Sequence, residues 1–312
     1  MPRLVFDFGK SGSRGRLEGA DTTWEWPALP VGGAGTPDGP RLLVRGIVDG
    51  VTAGGVAPGT IVVGSNFIPE HGFPDAVRAG LADALPGVGV ALVQDGILAH
   101  AGALGGPGVV ASVGTGVVVF GVDGRGVRRV DGWGPDLGDR GGAVDLGRRG
   151  LAAVCAALDG VGPATDLTGV AERHLGRPVG PPAVRWLLAR PDRVPLMAGF
   201  AREVVATASG GDGVARALVA GAASRVAASC AAAAGGADLP VVVVGRLGRS
   251  AGMAEALADA LVAAGMRQVA PRGGPLDATW AMVTDEPYRG ASSLLLPPGA
   301  VTTSSSPAGP PR

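Results

Sequence analysis

The chain has little of what builds disulfide-linked, metal-bound or membrane-spanning proteins. Only two cysteines occur in 312 residues, Cys155 and Cys230, and each falls in an Ala-rich helical pattern. That excludes a disulfide framework and any zinc-type cysteine spacing, and it suits a reducing, cytoplasmic setting. The three histidines, His71, His100 and His174, are too scattered to read as a ligand cluster. Lys and Arg (27) balance Asp and Glu (27). With no net charge and no basic stripe, neither a nucleic acid nor an anionic membrane surface is an expected partner. The longest apolar region, 215–234, is broken by Arg216 and Arg225 and reads as a buried helix, not a membrane span. The start, Met1-Pro2-Arg3, leads into a short strand and lacks a signal-peptide pattern.

What is abundant is glycine (56) and proline (26), set among Val, Leu and Ala runs of strand and helix length. Strands are predicted at 3–8, 60–63, 88–93, 109–113, 117–122 and 239–244, with 17–26 as a hairpin partner of the first. Helices are predicted at 42–53, 75–85, 96–104, 141–158, 166–174, 194–208, 214–234, 253–264 and 276–282. This alternation implies an α/β architecture. A Gly-rich turn follows a strand twice, which suggests two related domains around a cleft. Their expected extents are 1–107 and 108–290, with the last helix able to cross back to the first domain. The Pro/Ser/Thr/Gly tail, 297–312, is expected to be disordered.

Five features carry chemistry. In the first turn, Asp7 to Arg14, Gly9 and Gly12 let backbone N–H groups approach an anion, and Lys10, Ser11, Ser13 and Arg14 add donors and charge. Asp7, at the strand end, can hold a hydrated Mg²⁺. Gly9-Lys10-Ser11 ends like a P-loop, but Leu4 stands where the leading glycine belongs. The second turn, Gly114-Thr115-Gly116, repeats the device and adds a hydroxyl. Asp95, at the mouth of an apolar strand, can accept a hydroxyl proton or cap the following helix. Gly132-Trp133-Gly134 offers an indole and flanking amides to a sugar face, and Asp139 offers two acceptors to sugar hydroxyls. A buried Trp followed by a helix-capping Asp is the plainer alternative. Last, the Val run 241–244 ends in Gly245-Arg246.

Together, Asp7 to Arg14, Gln94-Asp95, Gly114-Thr115-Gly116, Gly132-Trp133-Gly134 with Leu137-Gly138-Asp139, and Val241 to Gly248 resemble the BadF/BadG-type ATPase family. That family includes N-acetylglucosamine kinase and belongs to the actin-like/sugar-kinase/Hsp70 superfamily. The resemblance runs from residue 3 to about 285. It implies two ribonuclease-H-like (actin-like ATPase) domains flanking a nucleotide and sugar cleft. It also implies ATP and Mg²⁺ as cofactors and phosphorylation of N-acetylglucosamine at its 6-hydroxyl, with Asp95 as general base. By the same resemblance Asp7 serves the metal, and Gly9 with its turn and Gly114 to Gly116 serve the phosphates. Thr115, Gly132, Trp133, Gly134 and Asp139 serve the sugar, and Gly245 the adenosine, with Arg246 beside it expected over the adenine or at the phosphates. Family members often pair, so a homodimer is compatible.

Departures from the family pattern bear on substrate. The kinases usually carry Gly-Asp-Glu-Gly-Ser, whereas this chain has Gly138-Asp139-Arg140-Gly141-Gly142. The first turn lacks the usual Gly-Gly-Thr, and Gly245-Arg246 replaces Gly-Gly. An ATPase or redox-enzyme activator, and a non-catalytic sugar or nucleotide sensor, are the alternative readings.

Overall fold

Short turns and long crossovers decide the topology. β1 (Arg3–Gly9) and β2 (Gly12–Leu17) are joined by two residues, a length that gives an antiparallel hairpin. β3 (Thr23–Trp26) adds a third antiparallel strand. α1 (Gly39–Gly54) then carries the chain over the sheet, so that β4 (Thr60–Ser65) lies parallel to β1. α2 (Phe73–Ala84) does the same for β5 (Gly89–Gln94), and α3 (Asp95–Leu104) follows without a gap. The computed structural model describes residues 1–9, 12–27, 38–65, 73–288 and 292–296. Lys10, Ser11, His71, residues 28–37 and the expected 297–312 tail lie outside the described residues.

The chain divides into two compact units, residues 1–106 with those from 272 onward, and 107–271. The second unit repeats the plan of the first. β6 (Gly108–Val113), β7 (Val117–Asp123) and β8 (Gly126–Asp131) form an antiparallel meander. α4 (Ala143–Leu158), α5 (Leu167–Leu175), α6 (Pro181–Leu188), α7 (Arg193–Ser209) and α8 (Gly213–Ala234) make the crossover. β9 (Pro240–Val244) then lies parallel to β6, and α9 (Ala251–Ala263) leads to a short β10 (Arg267–Gln268). The sheet orders are β11-β5-β4-β1-β2-β3 and β10-β9-β6-β7-β8. Omitting β11, both read third, second, first, fourth, fifth. This is the ribonuclease-H-like arrangement of actin-like ATPases. In each unit the carboxyl ends of the parallel strands share one edge with the tip of the first hairpin, which is where open α/β sheets bind ligands.

Each unit has its own core. In the first, Phe6 and Phe8 meet Trp26 edge-on, at ring centroids of 5.4 and 5.6 Å. Gly50 and Gly54 of α1 face the two indoles, and the Trp24 indole N–H donates to the Gly50 carbonyl. In the second, Val residues of β6, β7 and β9 pack against α4, α7, α8 and α9. α8 is long and apolar enough to cross a membrane. Half of its apolar window is buried in this core, and Arg216 and Arg225 interrupt it, as a core helix permits.

Several elements differ from the sequence reading. The hairpin partner of β1 is β2, which starts at Gly12 inside the expected turn; of 17–26 only 23–26 forms a further strand, β3, and it pairs with β2. β8 and α6 were not anticipated. The helix expected at 276–282 is a single 3-10 turn (Pro275–Asp277) followed by α10 (Trp280–Thr284). The expected second domain, 108–290, ends earlier, because residues from 272 onward pack with the first unit. Arg272 N–H donates to the Ala103 carbonyl, Tyr288 stacks edge-on with His100, and β11 (Ser292–Leu296) pairs with β5.

α8 approaches β7 so closely that a Cβ at Gly121 would overlap the Ala233 carbonyl oxygen. Gly121→Ala is therefore expected to destabilise the protein by about 1–3 kcal/mol in denaturant unfolding, as overpacking does. Gly124→Ala, with nothing within 4 Å of its added methyl, should be near neutral. Equal effects from the two would contradict this account of the contact.

Candidate functional site

The edge of the first unit is built from β1, β4, β5 and α3. Phe8 registers with Ser65, and Ser65 with Gln94, so Asp7 and Asp95 flank one row of the sheet. Two strand spacings put their backbones on the order of 10 Å apart. Asp95 takes the first turn of α3, where a carboxylate faces the positive end of the helix, and accepts from the Gly96 N–H at 2.7 Å. It is only half-buried, so its position serves the helix and leaves it open to solvent.

Asp7 is nearly buried and pairs with Arg14 across the β1–β2 ladder through Oδ2. Its Oδ1 has no hydrogen-bond partner among the described residues. A carboxylate with one free oxygen fits a hydrated Mg²⁺ carried mainly by phosphates, and no preformed three-ligand cluster occurs among the described residues. Gly12 faces open space. Ser13 departs from the expectation of a phosphate donor. Its hydroxyl is fully buried and donates to the Pro27 carbonyl at 3.1 Å, so it holds the edge of the sheet together instead.

The second unit concentrates its site on one turn. The Gly114 and Thr115 carbonyls accept the first N–H groups of α4, from Ala143 (2.9 Å) and Val144 (3.0 Å). This caps the helix and turns the loop's carbonyls inward. The Gly114 N–H closes the turn onto the Gly116 carbonyl. The Thr115 and Gly116 N–H groups have no acceptor among the described residues, and Thr115 is exposed. Two open amides on a glycine turn make a nest for an anion. Gly245 lies against the same strand end. Its φ of +97° and the overlap that a Cβ would make with the Val113 carbonyl both require glycine. Arg246 is exposed and forms no ion pair among the described residues.

Asp139 joins this turn directly, since a Cβ at Gly116 would overlap its carboxylate. Asp139 adopts φ +55°, an uncommon conformation for a non-glycine residue. Trp133 is 72% exposed, with the Arg129 guanidinium 5.8 Å from its ring centroid, so the buried-Trp alternative does not hold. Gly132 and Gly134 both have positive φ and turn the backbone on either side of it. The structure thus brings Gly114, Thr115, Gly116, Asp139 and Gly245 together, with the indole standing on the same loop.

Two further carboxylates carry no motif in the sequence. Asp131, fully buried as a side chain, accepts from Arg140 Nε (2.8 Å) and Ser229 Oγ (3.3 Å). Asp145, at the start of α4, accepts from the Gly141 N–H (3.0 Å) and pairs with Arg148, Arg149 and Arg225. Burial alone would raise the Asp145 carboxyl. The Gly141 N–H and the Arg225 and Arg149 charges outweigh it and hold the group below its ordinary value.

The shared sheet order of the two units, each with a Gly-rich edge, is that of the two-domain actin-like ATPase fold. The chain belongs to the BadF/BadG/BcrA/BcrD ATPase family, whose model matches residues 59–272. Among solved structures, the fold is similar to a candidate N-acetylglucosamine kinase from Chromobacterium violaceum, at 23% identity and a TM-score of 0.66, over 90% of this chain and 98% of that one. A second candidate N-acetylglucosamine kinase, from Porphyromonas gingivalis, matches at 16% identity and 0.67, over 91% and 99%. The ROK hexokinase of Thermus thermophilus matches at 20% and 0.53, over 89% and 96%. No curated protein matches the chain.

A depressed carboxyl stabilises the fold fully above its unfolded value, near 3.8, and loses that contribution as pH falls through the folded value. Thermal midpoints of wild type and Asp145→Asn are therefore expected to differ at neutral pH and to converge below about pH 4. A gap that stays constant down to pH 3 would contradict the assignment.

Proposed function

We propose that the chain transfers the γ-phosphoryl group of ATP to a sugar hydroxyl, with the 6-hydroxyl of N-acetylglucosamine as the first acceptor to test. One observation carries the reading. The Asp139 carboxylate, suited to sugar hydroxyls, is seated against Gly116 of a turn whose open amides suit a phosphate. A ROK glucokinase from Streptomyces griseus with the same fold was solved with glucose and AMPPNP, so the fold accommodates this pair of ligands elsewhere.

In the reaction, Asp95 accepts the hydroxyl proton while the oxygen attacks the γ-phosphorus and the bond to ADP breaks. The Thr115 and Gly116 amides donate to phosphate oxygens as charge moves onto the leaving group. Asp7 would hold the Mg²⁺ that accompanies ATP, and the ion would supply positive charge to the phosphates. Asp139 and the Trp133 ring orient the sugar. Arg246 lies with the adenosine end of the nucleotide. Such chemistry belongs in the cytosol, where ATP is supplied.

The family match itself keeps a second reading, a plain ATPase that drives a partner. Activators of that kind hold an iron–sulfur cluster, for which cysteine thiolates are the usual ligands. Burial pushes the Cys230 thiol up to about 12, and Cys155 sits on a different helix, which disfavours this reading.

Asp95→Asn is expected to keep ATP binding and lose about 10²–10⁴-fold in turnover, measured by coupled ADP release with a panel of amino sugars, hexoses and cyclitols. Near wild-type turnover would remove Asp95 from the mechanism, and sugar-independent release by wild type would favour the ATPase. Asp139→Asn should raise the KM for sugar more than that for ATP. An equal rise in both would count against its role.

A further inference from the structure

The loop carrying Asp139 is held from behind by one helix. Ser229 and Arg225 stand one turn apart on α8, so they share a face. Ser229 donates to Asp131, and Arg225 pairs with Asp145. Those two carboxylates in turn hold successive backbone N–H groups immediately after Asp139. Asp131 Oδ1 accepts from Arg140 N at 3.4 Å, and Asp145 Oδ2 from Gly141 N at 3.0 Å. Arg140 closes the first clamp through its Nε, which pairs with Asp131 Oδ2 at 2.8 Å.

The backbone in between is not a relaxed one. Asp131, Gly132, Gly134, Asp139 and Gly141 all have positive φ, two of them non-glycine. Glycine adopts them freely, but the two aspartates persist there only where their surroundings over-determine them. The two clamps supply that determination. Beyond them, Gly142 packs on Gly116, and Ala143 and Val144 bond the Gly114 and Thr115 carbonyls, so the same restraint reaches the phosphate turn.

We propose that α8, through the Ser229–Asp131–Arg140 and Arg225–Asp145–Gly141 clamps, is the positioning element that fixes the Asp139 carboxylate against Gly116. Arg140, Asp131, Asp145, Ser229 and Arg225 are positioning residues that need not touch the acceptor. The claim that the aimed carboxylate reads a sugar rests on the proposed function, whereas the mechanical claim does not. The departure from Glu to Arg at position 140 then has a physical role, since Arg is what neutralises the buried Asp131.

The test compares Arg140→Ala, Arg140→Lys and Ser229→Ala by hydrogen exchange over 132–142 and by KM for sugar and for ATP. Arg140→Ala should raise exchange in that loop by about tenfold or more, with exchange in β9 and α9 unchanged. Its sugar KM should rise about tenfold and its ATP KM less than about twofold. Arg140→Lys, which keeps a charge for Asp131, should recover part of both effects. Ser229→Ala, a milder change, should move exchange in the same direction should the Arg140 variants fail to fold. Wild-type exchange in the loop for folded Arg140→Ala or Ser229→Ala would overturn the clamp. A uniform loss of thermal stability with an unchanged KM ratio would reduce it to ordinary support. If wild type phosphorylates no sugar, the exchange data still decide the clamp, and only the function fails.

Discussion

The Gly114 and Thr115 carbonyls are spent on the first two amides of α4, and the second unit's edge depends on that exchange. A helix start needs acceptors, and a glycine turn has carbonyls to give. Once they face the helix, the Thr115 and Gly116 amides are left without acceptors among the described residues, on the side where an anion can approach. The turn cannot move without uncapping α4. Because α4 also carries Asp145, the turn, the helix and the loop before it are one mechanical piece.

The repeat of topology explains why both units carry chemistry at the corresponding edge. In each, a hairpin tip and the carboxyl ends of parallel strands meet, because β4 and β9 return parallel to the first strand through a helical crossover. The two edges are equipped differently. The first places Asp95 at a helix start and a paired Asp7 beside it, which suits proton and cation chemistry. The second places open amides beside Asp139, which suits phosphate and hydroxyl recognition. Phosphoryl transfer to an alcohol calls for both kinds of group.

Much of this was legible in the residues. Short apolar runs ending at Gly or Asp mark β1, β5, β6 and β9, and Gly114-Thr115-Gly116 and Asp95 stand at the ends of two of them. What escaped notice was non-local or disguised. β8 is an edge strand whose Arg128 and Arg129 break the apolar alternation. Asp131 reads as a turn residue, and its partner Ser229 lies 98 residues away. Asp145 reads as an ordinary acidic first turn, yet it pairs with Arg225, 80 residues on. Ser13 failed as a phosphate donor because alternation along β2 turns its hydroxyl inward to Pro27. A hairpin motif names its residues but not the face each one takes.

The central claim is that an alcohol, and not water, receives the phosphoryl group. Phosphorus NMR of the protein with ATP, Mg²⁺ and N-acetylglucosamine observes the acceptor directly. The account predicts a sugar phosphomonoester resonance that grows in step with ADP, with little inorganic phosphate. ADP accompanied by inorganic phosphate alone, with this sugar and with the rest of the panel, would contradict it.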